Sequence, residues 1–193
     1  MPPDIEQRSA SELVVLIESH IALYIDGSCL ENNNVTSETP AAWGLAIVTG
    51  DNGLGKGSGE IVQELWGFVK CNPADDEFLG AEVGSNNTAE LTGFAMALRW
   101  LLIEGSEQDA IIYTDSQYAG NLATGEWRAK ANKALVKSVQ NLWSEVSHMR
   151  NLEWRHVRAH RGHRWNERAD HLANRCVSNQ LPIPLSFWKP GQR

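Results

Sequence analysis

Two apolar runs, Ile21-Ala22-Leu23-Tyr24-Ile25 and Ala110-Ile111-Ile112-Tyr113-Thr114, each close on an aspartate, Asp26 and Asp115. Each run reads as a strand, so a carboxylate stands twice where a strand leaves the core. Two more acids are set in apolar surroundings. Glu90 shares a helical stripe with Phe94, Ala97 and Leu101, and Asp170 has Ala173 and Val177 one and two turns on. A carboxylate among apolar side chains is costly unless something neutralises it. These four acids, gathered in one fold, call for divalent cations.

The pattern between the acids sets the architecture. The strand ending at Asp26 is followed by a polar loop, Glu31 to Pro40, a second strand from Ala42 to Val48, the turn Asp51-Asn52-Gly53 and a third strand from Ile61 to Val69. Helical spacing then runs from Asn87 to Ile103, with Gly105 as the stop. A fourth strand ends at Asp115, a helix opens after Ser116, and an amphipathic helix spans Ala134 to His148. A strand from Leu152 to Val157, a loop from Arg158 to Arg164 and a helix from Asn166 to Ser178 complete the series. An antiparallel meander followed by alternating helix and strand predicts an α/β fold, a mixed five-stranded sheet with helices on both faces.

At 193 residues and 42% hydrophobic content, the chain suits one globular domain. We expect that domain over residues 21–180, with an N-terminal extension over 1–20 and a C-terminal tail over 181–193 in which Pro182 and Pro184 stop any helix. Cys29, Cys71 and Cys176 lack the paired spacings of disulfides or zinc sites and read as reduced, packed thiols. No apolar stretch is long enough for a membrane span, and the first residues lack the pattern of a signal peptide. An intracellular, cytoplasmic monomer without membrane contact is the expectation. The formal net charge of −7 argues against broad attraction to nucleic acid. The segment from Arg150 to Arg175 nevertheless concentrates arginine, which leaves room for a phosphate-facing side.

Each acid has a bland reading. Asp26 before Gly27-Ser28 suits a turn, Asp115-Ser116 suits a helix N-cap, and Glu90 closes a capping box Asn87-Thr88-Ala89-Glu90. Trp43, Trp66, Trp100, Trp143 and Trp154 read as core. The histidines at 156, 160, 163 and 171 have no cysteine partners, and we read them as a metal-free basic stretch. Gly50 to Lys56 imitates a phosphate loop, but Gly57 replaces the required hydroxyl residue and a strand follows.

Taken together, the strings Tyr-Ile-Asp-Gly-Ser (24 to 28), Asn-Asn-Thr-Ala-Glu-Leu (86 to 91), Thr-Asp-Ser-Gln-Tyr (114 to 118) and His-Arg-Gly-His-Arg-Trp-Asn-Glu-Arg-Ala-Asp (160 to 170) resemble the successive motifs of type 1 ribonuclease H. The resemblance covers Ala22 to Val177. It implies a ribonuclease H-like fold that cuts the RNA strand of an RNA·DNA hybrid with two Mg²⁺ ions, for which Mn²⁺ may substitute. By the same resemblance Asp26 bridges both metals, Asp170 completes the ion that activates water, and Glu90 and Asp115 hold the other. His160 matches the family's mobile histidine, which assists proton transfer and product departure. Gly27, Ser28 and Asn166 join the substrate contacts. Asn86, Asn87 and Gln117 match residues that read the minor groove, where a wide A-form groove displays 2′-hydroxyls. Ser85 and Asn87 match a pocket for a DNA-strand phosphate, and Trp127, near Arg128, Lys130 and Lys133, matches the DNA channel.

Two departures from the family are visible. The segment from Arg128 to Lys137 is shorter and less basic than the usual protrusion, and no hybrid-binding domain precedes Ala22. Affinity for long hybrids is therefore expected to be modest and salt-sensitive. Three rivals stand beside this reading: a retroelement-derived domain acting in reverse transcription, a non-catalytic hybrid-binding module, and a DNA-joining or junction-cutting nuclease. A binder gains nothing from crowding like charges, and a DNA nuclease would leave Asn86, Asn87 and Gln117 without a ribose to inspect.

Overall fold

The computed structural model describes residues 20–105, 107–158 and 162–192. Its elements run β1 (His20–Cys29), β2 (Ala41–Thr49), β3 (Glu60–Phe68), α1 (Asn86–Ile103), β4 (Asp109–Thr114), α2 (Gln117–Thr124), α3 (Lys133–Met149), β5 (Leu152–His156) and α4 (Arg164–Val177). The five strands lie in the order β3-β2-β1-β4-β5. β1, β2 and β3 form the antiparallel meander, while β4 and β5 join β1 in parallel. This is the predicted mixed sheet.

Period-two alternation sorts the strand residues onto two faces. Ile21, Leu23, Ile25, Leu45, Ile47 and Ile112 pack with Leu91, Phe94, Leu98 and Leu101 of α1. Ala22, Tyr24, Ala46, Val48 and Tyr113 pack on the other side with Trp165 and Ala169 of α4. Each large apolar side chain buried in α1 is worth about 1.5–3 kcal/mol, so the stripe outweighs the penalty of carrying Glu90 inside it. The helix can hold a buried acid because its neighbours stabilise it.

Two glycines let the helices close on β1 and β2. A Cβ on Gly44 would sit 2.3 Å from the carbonyl oxygen of Ala169 and 2.8 Å from the nitrogen of Ala173. α4 therefore rests directly on β2, opposite Asp26, the register partner of Gly44. The long loops also have a place. Asn86 donates its backbone N–H to Asn32 Oδ1 at 3.0 Å, and Gly84 donates to the carbonyl of Thr36 at 2.9 Å. These bonds pin the 30–40 loop to the entrance of α1.

Two expectations change, for Trp66 and for the cap of the first helix. Trp66 is 40% exposed, because β3 is one of the two edge strands. Trp165 and Trp188 are the buried indoles on the α4 side. The cap of α1 is Ser85, whose Oγ accepts from Thr88 N–H at 3.1 Å while Thr88 Oγ1 accepts from Ser85 N–H at 2.9 Å. Glu90 lies beyond that reciprocal pair and takes no part in it. Residues of the C-terminal tail lie against α4: Ile183 donates its N–H to His171 Nε2 at 3.0 Å, and Arg168 reaches the Ile183 carbonyl at 2.9 Å. Among the described residues no helix is long and apolar enough to cross a membrane.

Candidate active site

β1 is hydrogen-bonded to β4 in register as far as Tyr24 and Tyr113, and both strands then run on toward their aspartates. Asp26 lies inside β1, three residues before its end, and Asp115 immediately follows β4. β1 is also where the sheet changes from antiparallel to parallel neighbours, the kind of crevice in which α/β sheets place ligand sites.

α1 delivers the third acid. On the face of β1 turned to α1, a Cβ on Gly27 would lie 2.6 Å from the Glu90 nitrogen, so only glycine permits this approach. One carboxylate oxygen from each of Asp26, Glu90 and Asp115 comes within 4.8 Å of the others. Asp26 and Glu90 are buried, 6% and 8% exposed. Burial, followed by the charges of Glu90, Asp115 and Asp170, raises Asp26 well above the usual carboxylate range. Burial and the Asp115 charge push Glu90 up to about 8, against the opposing pull of hydrogen bonds from Asp26, Gly27 and Thr114. Without a cation, Asp26 and Glu90 therefore hold their protons more tightly than free carboxyls do.

Asp170 stands beside the trio, near enough for its charge to act on Asp26 but outside the 4.8 Å group. Its Oδ1 accepts from Asn174 Nδ2 at 2.6 Å. Asn174 Oδ1 in turn accepts from Ser28 Oγ at 2.9 Å. The i to i+4 spacing of Asp170 and Asn174 was a visible signal for this pair, which the sequence reading missed.

The other candidate residues fall into distinct settings. Asn86, Asn87 and Gln117 are exposed in the first turns of α1 and α2. Asn87 lines a groove of about 610 Å³ together with Tyr118, Trp127, Arg128 and Lys130, and Trp127 is 47% exposed. Ser85 is buried, with its hydroxyl engaged in the helix cap. Asn166 is 2% exposed, and its Oδ1 has no hydrogen-bond partner among the described residues. His160 lies outside the described residues.

Part of the arginine-rich segment is engaged within the protein. Arg168, 1% exposed, pairs with Glu64, Arg155 pairs with Glu153 at 2.9 Å, and Arg150 donates to the carbonyls of Leu101 and Gln108. His171 is buried, with both ring nitrogens in contact with the tail, which fits the metal-free reading.

Comparison with known proteins decides what carries this arrangement. The family model for RNase H matches residues 18–178. The chain belongs to the ribonuclease H family. It is similar to the ribonuclease H of Anaplasma marginale, 32% identical over 183 residues, covering 89% of this chain and 99% of that one. Its fold is similar to RNase H1 from the halophilic archaeon Halobacterium salinarum, with a TM-score of 0.60 and 25% identity over 83% of this chain and 98% of the other. It is also similar in fold to LC11-RNase H1 solved in complex with an RNA/DNA hybrid, with a TM-score of 0.57, 20% identity, and coverage of 82% and 97%. Family membership makes the protein a nuclease, a phosphodiester hydrolase, and its buried acidic trio is compatible with a divalent metal.

Proposed function

We propose that this ribonuclease H is a Mg²⁺-dependent endonuclease that hydrolyses the RNA strand of RNA·DNA hybrids. The convergence of Asp26, Glu90 and Asp115 within 4.8 Å, in surroundings that raise the pKa values of Asp26 and Glu90, carries the reading. The donor set fits the ion: carboxylate oxygens are the hard ligands Mg²⁺ takes, and three or four of them leave positions for water and phosphate. Like charges this close have no structural use, and divalent cations relieve them.

Asp26 would bridge, since the charges of all three other acids act on it. Glu90 and Asp115 would hold one ion and Asp26 with Asp170 the other, Mn²⁺ being able to replace either. Such a pair of cations supplies charge stabilisation to the attacking and departing oxygens of an in-line displacement. The protein contributes orientation: Gly27 sets the depth of Glu90, and the Thr114 hydroxyl, 3.4 Å from Glu90 Oε2, restrains its rotamer. At the rim, Asn86, Asn87 and Gln117 would test the minor groove for ribose. The groove lined by Asn87, Trp127, Arg128 and Lys130 would take the DNA strand. Ser28, Gly27, Ser85 and Asn166 complete the proposed contacts, and His160 is assigned to proton handling at product departure on the strength of the motif match.

We place the enzyme in the cytoplasm as a monomer, and its three free thiols support a reducing compartment. The test offers labelled RNA·DNA, RNA·RNA, DNA·DNA and single-stranded RNA, each with Mg²⁺ or chelator. Cleavage confined to the RNA of the hybrid, and only with metal, is expected. Equal cutting of the other substrates, or cutting in chelator, would refute the assignment.

A further inference from the structure

We propose that Asn174 is a positioning residue for Asp170, holding that carboxylate in the orientation that receives a divalent cation. The inference rests on the reading of Asp170 as a metal-holding acid.

The backbone and the side chain of Asp170 are set by different contacts. Its backbone follows from the seat of α4 on Gly44, where neighbouring Ala169 and Ala173 touch the strand. That contact does not by itself fix the two side-chain torsions of Asp170. Asn174, one turn on, holds the side chain directly: its Nδ2 donates to Asp170 Oδ1 at 2.6 Å and to the Asp170 carbonyl at 2.9 Å.

The amide is itself held. The Asp170 backbone carbonyl can only accept, so the NH₂ group must face Asp170 and the amide oxygen must face away. On that side Ser28 Oγ donates to Asn174 Oδ1 at 2.9 Å. Ser28 is two residues after Asp26 on β1, hence on the same face of the strand. A continuous path, Ser28 to Asn174 to Asp170, therefore ties the fourth acid to the strand that carries Asp26. Partners that orient metal-holding side chains typically change metal affinity or activity by 10–100-fold when removed.

The experiment measures Mn²⁺ binding by titration calorimetry without hybrid, and the Mg²⁺ dependence of hybrid cleavage, for the wild type, Asn174→Ala, Asn174→Leu, Ser28→Ala and Asp170→Asn, with a melting curve for each. Both Asn174 variants are expected to weaken Mn²⁺ binding and raise the half-saturating Mg²⁺ concentration by about tenfold or more, with melting temperatures close to wild type. Ser28→Ala should shift both in the same direction by less. If Asp170→Asn weakens binding while both Asn174 variants bind Mn²⁺ as the wild type does, this inference alone is overturned. If Asp170→Asn changes neither binding nor cleavage, the reading of Asp170 fails first. Loss of folding in both Asn174 variants, with wild-type Mn²⁺ binding in Ser28→Ala, would mean a structural role and overturn the proposal.

Discussion

Gly27 and Glu90 are packed backbone to backbone: a Cβ at residue 27 would lie 2.6 Å from the Glu90 nitrogen and 2.8 Å from the Ala89 Cβ. No flexible side-chain end is available to yield at the nearest contact, so an added methyl must displace α1. Gly27→Ala is expected to destabilise the protein by about 1–3 kcal/mol, the usual range for overpacking. It should also lower the rate at saturating Mg²⁺ by roughly 10²-fold, because Glu90 moves with its helix. Melting curves and single-turnover cleavage check both effects, and turnover near wild type would show that the close approach is dispensable.

Asp115 offers a cleaner separation of folding from chemistry. It follows β4, is half-buried, and shares the acidic cluster. Asp115→Asn should keep the melting temperature and hybrid affinity while reducing cleavage by about 10³-fold or more, as loss of directed charge in an active site can do. Ca²⁺ should likewise support binding with poor turnover, since its looser coordination fails to fix the in-line geometry. Near-normal turnover by the variant would refute the role given to Asp115.

Raised carboxylate pKa values give metal-free stability a definite slope. Glu90 is pushed up to about 8 in the folded protein from an ordinary value of 4.5, so between these limits the folded state holds more protons than the unfolded one. Stability must therefore fall as pH rises through that window, by on the order of 1 kcal/mol per pH unit for each such group. Asp26, also raised, adds to the same trend. His163 and His171, held below 6.5 by burial, act oppositely, with stability lost as pH falls below their unfolded value. Their contribution is flat above about pH 7, so the range from about pH 7 to 8 isolates the acids. Chelator-treated protein should melt lower at the upper end, and saturating Mg²⁺ should restore more stability there. A melting temperature independent of pH across that range would contradict the shared burial of these carboxylates.

On the α4 side of the sheet, Tyr24 donates its hydroxyl to Asp51, which also accepts from Ser58 Oγ at 3.0 Å. The same β2–β3 hairpin is strapped to α4 by Arg164 N–H to the Gly55 carbonyl at 3.0 Å and by the Trp165 indole to the Ser58 carbonyl at 2.8 Å. Tyr24→Phe leaves one oxygen of a 1% exposed carboxylate without its donor. A loss of about 1–3 kcal/mol is expected in denaturant titration, with turnover at low temperature unchanged. A stability loss well below that range would show that the tyrosine hydroxyl contributes little to the hairpin.

The sheet and its helices were legible because they rest on local signals. Alternation and apolar runs marked every strand to within a residue or two, except that β1 extends past Asp26 to Cys29. There the chain continues to pair with β2 after leaving β4, which a turn signature at Asp26-Gly27-Ser28 concealed. The approach of Asp26, Glu90 and Asp115 was anticipated from motifs. What stayed hidden depends on which side chains meet in three dimensions, often across distant parts of the sequence. Ser85 rather than Glu90 serves the cap because Thr88 reciprocates, and Trp66 is exposed because β3 is an edge. Arg168 is paired with Glu64 and Arg150 with backbone carbonyls, partners that no local pattern identifies. Asn174 lay outside every recognised motif, and only its contacts with Ser28 and Asp170 give it significance.

The central claim is that Asp26, Glu90, Asp115 and Asp170 share divalent cations. Anomalous diffraction from crystals of the Mg²⁺-free protein with a bound RNA·DNA hybrid, soaked in Mn²⁺, tests it directly. The account expects two anomalous peaks about 3.5–4 Å apart, both within coordination distance of Asp26. An empty cluster beside a bound hybrid, or Mn²⁺ seated away from Asp26, would contradict it.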